Sequence, residues 1–135
     1  MQKLILAILL LAHMYGCNTA NKIQEHKILI HDNWQFTKTS EENWLPATVP
    51  GTVHTDLLKN NEIDDPFYGL NERKLQWIEK EDWTYTTSFN INKELDNYER
   101  IDLVFEGIDT YADVFLNGTL LFSSDNMFVP WEKPV

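Results

Sequence analysis

The sequence predicts an all-β fold, a β-sandwich, and three observations carry that expectation. Residues 83–91 alternate, with Trp83, Tyr85, Thr87, Phe89 and Ile91 on one face and Thr84, Thr86, Ser88 and Asn90 on the other, which is the two-residue period of a half-buried strand. Residues 112–123 are divided by Asn117-Gly118, the pair that most readily takes the two positive φ values of a type I′ hairpin turn. Elsewhere the apolar runs are short and punctuated by turn residues, with little room for helix.

In chain order, Ile28, Ile30, Trp34 and Phe36 predict an early strand, or a hairpin around Asp32-Asn33, followed by a polar connection over residues 37–43. Pro50-Gly51 marks a turn, and residues 53–59 make one short helix. Residues 65–77 form an irregular segment unusually rich in rings, Phe67, Tyr68 and Trp77 among them. A long aromatic loop that leads into a clean strand is suited to shaping a binding surface. The strand over 83–91 follows. Ile101, Leu103 and Phe105 then alternate with Asp102, Val104 and Glu106 in the next strand, which Gly107 closes. Asn117-Gly118-Thr119 also matches an N-glycosylation acceptor pattern, but the tight turn is the reading that fits its surroundings.

With 135 residues, 43% of them hydrophobic, the chain fits one globular domain. Its net charge of −10 and eleven scattered basic residues argue against nucleic acid as a partner. The amino terminus has its own grammar: Lys3, the apolar run Leu4 to Ala12, then Gly16-Cys17. That order reads as an export signal over residues 1–17, too short to span a bilayer, which takes about 20 apolar residues. Cys17 resembles the acylated cysteine of a bacterial lipoprotein, so a periplasmic or outer-membrane lipoprotein is expected, with ordinary secretion and a chance cysteine as the alternative. Membrane contact would then run only through a lipid on Cys17. Residues 18–27 are polar and suit a tether, leaving residues 28–135 for the sandwich. The single cysteine excludes a disulfide within the chain.

Most chemistries find no support. His26, His31 and His54 lack metal-ligand spacing, no G-x-S-x-G elbow positions a nucleophile, and no glycine loop cradles phosphate. No metal or cofactor is expected. The acids Asp64, Asp65, Glu79, Glu81 and Asp82 read as solvated surface. What remains is sugar contact, because pyranose C–H faces pack on aromatic rings while hydroxyls reach amides and carboxylates. Trp77 beside Asn71, Glu72 and Gln76 has that chemistry. A tryptophan in a long loop is more often a plug that fastens the loop to its own sheet, and Trp77 and Tyr68 both fit that role.

An ordered set of motifs extends these readings. Residues 44–54 (WLPATVPGTVH), 65–72 (DPFYGLNE), 75–78 (LQWI), 82–85 (DWTY), 105–118 (FEGIDTYADVFLNG) and 125–128 (DNMF) together resemble the amino-terminal region of the β-mannosidases of glycoside hydrolase family 2. The resemblance implies a jelly-roll, galactose-binding-like domain in front of a (β/α)₈ barrel. It further implies a retaining exo-glycosidase acting on terminal β-D-mannose of manno-oligosaccharides or N-glycans. Two barrel glutamates about 5–5.5 Å apart would do the chemistry, and this chain has neither the length nor the strand–helix alternation for a barrel. The chain alone is therefore expected to be inactive, with β-mannoside glycans as ligand and the barrel as its packing partner. On the same resemblance Asn71 and Trp77 are candidates for the mannose-proximal edge, lent to the barrel's rim. Pro134-Val135 stops where the family's sandwich continues, so an incomplete sheet and marginal stability are expected. A surface-tethered carbohydrate-binding module and a non-functional gene fragment are the alternatives.

Overall fold

The computed structural model describes residues 25–91 and 93–135. The export signal, Cys17 and most of the tether lie outside the described residues. Residues 25–31 fall in a unit separate from residues 32–135 and contain no helix or strand. The early strand expected through Ile28 and Ile30 does not form there, and the first strand begins only at Gln35. Asn33 instead takes a left-handed φ of 59° just before the first strand.

That strand, β1 (Gln35–Lys38), is the centre of the first sheet. On one side it pairs antiparallel with the two-residue β2 (Leu45–Pro46), placing Phe36 opposite Leu45. On the other it pairs with β3 (Trp83–Thr86), with Phe36 opposite Tyr85 and Lys38 opposite Trp83. Pro46 stands in the edge strand β2, where a missing N–H is tolerated. The strand predicted over 83–91 ends at Thr86, because Gln35, its opposite number, is the first residue of β1. Beyond it Thr87 donates its hydroxyl proton to the Asp32 carbonyl at 2.9 Å, and Phe89 and Ile91 are exposed.

The predicted helix forms over its full range as α1 (Val53–Lys59). Thr52 caps it: the Thr52 hydroxyl accepts from the Thr55 N–H at 3.3 Å, and the Thr55 hydroxyl accepts from the Thr52 N–H at 3.1 Å. Just upstream, a side chain on Gly51 would collide with the Thr48 carbonyl, so the turn admits only glycine without rearrangement. Two shorter elements that the sequence pattern did not predict follow, α2 (Asn71–Lys74) and a 3₁₀ turn at Ile78–Lys80. The apolar core lies between these helices and the sheet. Phe36, Leu57, Ile63, Leu75 and Ile78 are buried there, with Trp77, Trp83 and Tyr85 packed against them. Phe36 sits 5.5 Å from the Tyr85 ring and 5.8 Å from that of Trp83.

The second half contributes two further antiparallel pairs. Strand β4 (Asp102–Phe105) pairs with β7 (Trp131–Pro134), and β5 (Ala112–Leu116) with β6 (Thr119–Ser124). The β5–β6 turn has the predicted form, with φ of 50° at Asn117 and 79° at Gly118. Phe122 organises this half: it is buried, stacks on Trp131 at 5.0 Å and meets Phe105 edge-on at 5.4 Å. Among the described residues, then, seven strands in three sheets with minor helices make a mostly β, sandwich-like fold.

Candidate functional site

The segment between α1 and β3 builds a surface cleft of about 140 Å³, lined by His54, Pro66, Glu72, Leu75, Gln76 and Glu79. Local hydrogen bonds fix its rim. The Asp65 carboxylate accepts the Phe67 N–H at 2.9 Å, while the Asp65 carbonyl accepts the Tyr68 N–H at 3.1 Å and the Asn71 amide at 3.0 Å. Gly69, with φ of 61°, lets the chain turn sharply into α2. The rim is thus tightly bonded although Phe67 and Tyr68 are 97% and 77% exposed. Buried Leu75 anchors the cleft to the core.

Two residues after His54 in α1 stands a carboxylate that sequence reasoning did not single out. Asp56 is fully buried; it accepts the Thr48 N–H at 2.9 Å and the Tyr85 hydroxyl proton at 3.0 Å. Asn60 extends the connection by donating to the Pro46 carbonyl at 2.9 Å. Helix α1, the 46–48 segment and β3 are thereby tied at one point. Burial, and then the hydrogen bond to Asp56 and its charge, push the Tyr85 hydroxyl far above the ordinary tyrosine range. Tyr85 therefore stays a donor to Asp56 above the pH at which an ordinary tyrosine ionises. The signal for Asp56 was present in the sequence: residues 53, 56, 57 and 60 share one helix face, and Asp56 stands on the apolar side of it.

The two candidate sugar-edge residues have separate partners. Asn71 donates to the Asp65 carbonyl and accepts from Lys74 Nζ at 3.3 Å. Trp77 is half-buried, 6.1 Å from the Trp83 ring, with Lys38 Nζ 4.8 Å above its own ring. Trp83 in turn donates its indole N–H to the Ile78 carbonyl at 3.1 Å. Neither candidate lines the cleft; they flank Glu72, Leu75 and Gln76, which do. The cleft offers two carboxylates, an amide and an imidazole to a hydroxyl-rich ligand, with the exposed rings nearby. A second, more open groove of about 460 Å³ runs along Asn33, Trp34, Gln35, Pro46 and Thr86 to Ser88. No group of three His, Cys, Asp or Glu residues is placed to hold a metal ion among the described residues.

Residues 34–135 match the family described as glycosyl hydrolase 2 galactose-binding domain-like. The chain belongs to this family. It is 38% identical over 125 residues to the β-mannosidase of Bos taurus, a match covering 93% of this chain and 14% of that one. Identity with β-mannosidase A of Emericella nidulans is 43% over 103 residues, 76% of this chain and 11% of the other. Among solved structures, the β-D-mannosidase from Dictyoglomus thermophilum superposes with a TM-score of 0.73 at 48% identity, over 75% of this chain and 12% of that one. The chain is thus homologous to the amino-terminal, galactose-binding-like domain of family 2 β-mannosidases and spans only a small fraction of their length.

Proposed function

We propose that this family 2 domain serves as the non-catalytic front part of a retaining exo-β-mannosidase that releases terminal β-D-mannose from manno-oligosaccharides or N-glycans. The observation that carries the reading is the 48% identity and TM-score of 0.73 to a solved β-D-mannosidase. In this role the hydrolytic carboxylates belong to a barrel, and the domain supplies shape. Its pinned 65–77 segment faces the barrel's mouth, with Asn71 and Trp77 at the mannose-proximal edge. The Asp56 knot ties α1 to β3, the two elements that bracket that segment in the chain, and a small displacement at a rim is enough to lower catalytic efficiency. Residues 1–17 direct export, and Cys17 carries a lipid; loss of labelled fatty acid from Cys17→Ser cells tests that part separately.

The aligned stretch of the Dictyoglomus thermophilum enzyme, replaced by residues 34–135 of this chain, provides the test. A folded chimera with kcat/KM on an aryl β-D-mannoside near that of the parent supports the reading. A chimera that is monodisperse and folded, yet no better than the parent lacking the stretch, overturns it.

The exposed Phe67 and Tyr68 rings favour one second reading, a carbohydrate-binding module at the cell surface. It requires saturable binding of manno-oligosaccharides by the isolated chain. Flat titration of the folded chain removes it.

A further inference from the structure

The tip of the β5–β6 hairpin joins three features. Asn117 is followed by a residue with no side chain, and both turn residues are exposed. The Asn117 amide makes no hydrogen bond among the described residues, whereas those of Asn60, Asn71 and Asn126 do. The pairing register also breaks between Val114 and Phe115. The tip beyond that irregularity is solvent-exposed, with Phe115 at 59% and Leu120 at 52% exposure, while Phe122 and Ser124 at the base are buried.

We propose that Asn117 is a site of spontaneous modification, in which its amide is converted through a cyclic imide to aspartate and isoaspartate. The Gly118 backbone nitrogen bonds to Asn117 Cγ, the Cγ–Nδ2 bond breaks, and ammonia leaves with the Gly118 amide proton. Water then adds to either imide carbonyl and opens the ring, with no change of oxidation state. The absent side chain at Gly118 removes the steric barrier to that attack. The attack also requires Asn117 to rotate out of its left-handed conformation, so the reaction proceeds through opening of the tip. The register break lets the tip open without unpacking Phe122 from Phe105 and Trp131. Isoaspartate routes the backbone through an extra carbon and adds a negative charge to a chain already at −10. The type I′ turn cannot survive that insertion.

The folded 135-residue protein is held in mildly alkaline buffer and sampled by peptide mapping that separates isoaspartate from aspartate. Conversion at Asn117 is expected to run at least about tenfold faster than at Asn33, Asn61 or Asn126, the effect of roughly 1.4 kcal/mol in a barrier. Asn117→Asp, which carries the charge on an ordinary backbone, should retain the melting temperature that the isoaspartate fraction loses. Equal rates at these asparagines overturn the proposal. Conversion at Asn117 seen only in urea overturns it too, because the folded hairpin would then be protecting the site.

Discussion

Replacing Asp56 by alanine tests the idea that one buried carboxylate ties three segments together. The substitution leaves the Thr48 N–H and the Tyr85 hydroxyl without their acceptor. An unsatisfied buried donor costs about 1–3 kcal/mol. Thr48 and Tyr85 keep some access to water, and removing a buried charge recovers part of its desolvation, so the low end applies to each. The expected loss is about 2 kcal/mol, large against the roughly 5–15 kcal/mol that holds a typical domain folded. Asp56→Asn is the informative companion. Its carbonyl can still accept from Thr48 and its amide can donate to the Tyr85 oxygen, so it should cost about 1 kcal/mol. Urea unfolding followed by the fluorescence of Trp77 and Trp83, which pack against the core, measures both. A double-mutant cycle with Tyr85→Phe isolates their shared bond, and a coupling of about 1–2 kcal/mol is expected. A loss below about 0.5 kcal/mol for Asp56→Ala, the level of an ordinary surface substitution, would refute the reasoning.

Three further outcomes are expected. The folded state holds the Tyr85 proton more tightly than the unfolded chain, so stability is fully present below the ordinary tyrosine value of 10.0 and falls as pH rises past it. In Tyr85→Phe that component is absent, so a wild-type slope in alkaline unfolding curves of the variant would contradict the assignment. Gly51→Ala should lower stability by about 1–3 kcal/mol through its collision with the Thr48 carbonyl, read as a drop in urea midpoint. Trp77→Ala should cost about 2–3 kcal/mol from lost contacts with Trp83 and Lys38. An unchanged melt of that variant would leave Trp77 free for ligand and discard its role as a plug.

The parts of the fold that were legible in the sequence are those fixed by neighbours. Residues 53–59 carry their own cap and apolar face, and Asn117-Gly118 sets a turn by φ alone. Residues 83–91 mark the limit of such reasoning. Alternation there continues past Thr86, but strand length was decided by where β1 begins. The brief β2, with a proline in it, and the pairing of β4 with β7 depend on distant partners and left no local pattern. At the site, the aromatic segment was evident and its internal geometry was not. Asp65 organises the rim through backbone groups, and Trp77 turns towards Trp83 and Lys38. Family membership was legible in the ordered motifs, because those comprise side chains whose joint spacing no single element requires.

The pairing of β4 with β7 imposes an order of events on synthesis. The β2-β1-β3 sheet has all its strands once residue 86 has left the ribosome, and the β5–β6 hairpin closes on itself. Strand β4, by contrast, must wait with its ladder groups unpaired until Trp131–Pro134 emerges. At about 5–20 residues per second that wait lasts on the order of seconds. During it Phe122 lacks Trp131, and the nascent chain presents a strand edge and a bare ring together, the combination on which a holding chaperone acts.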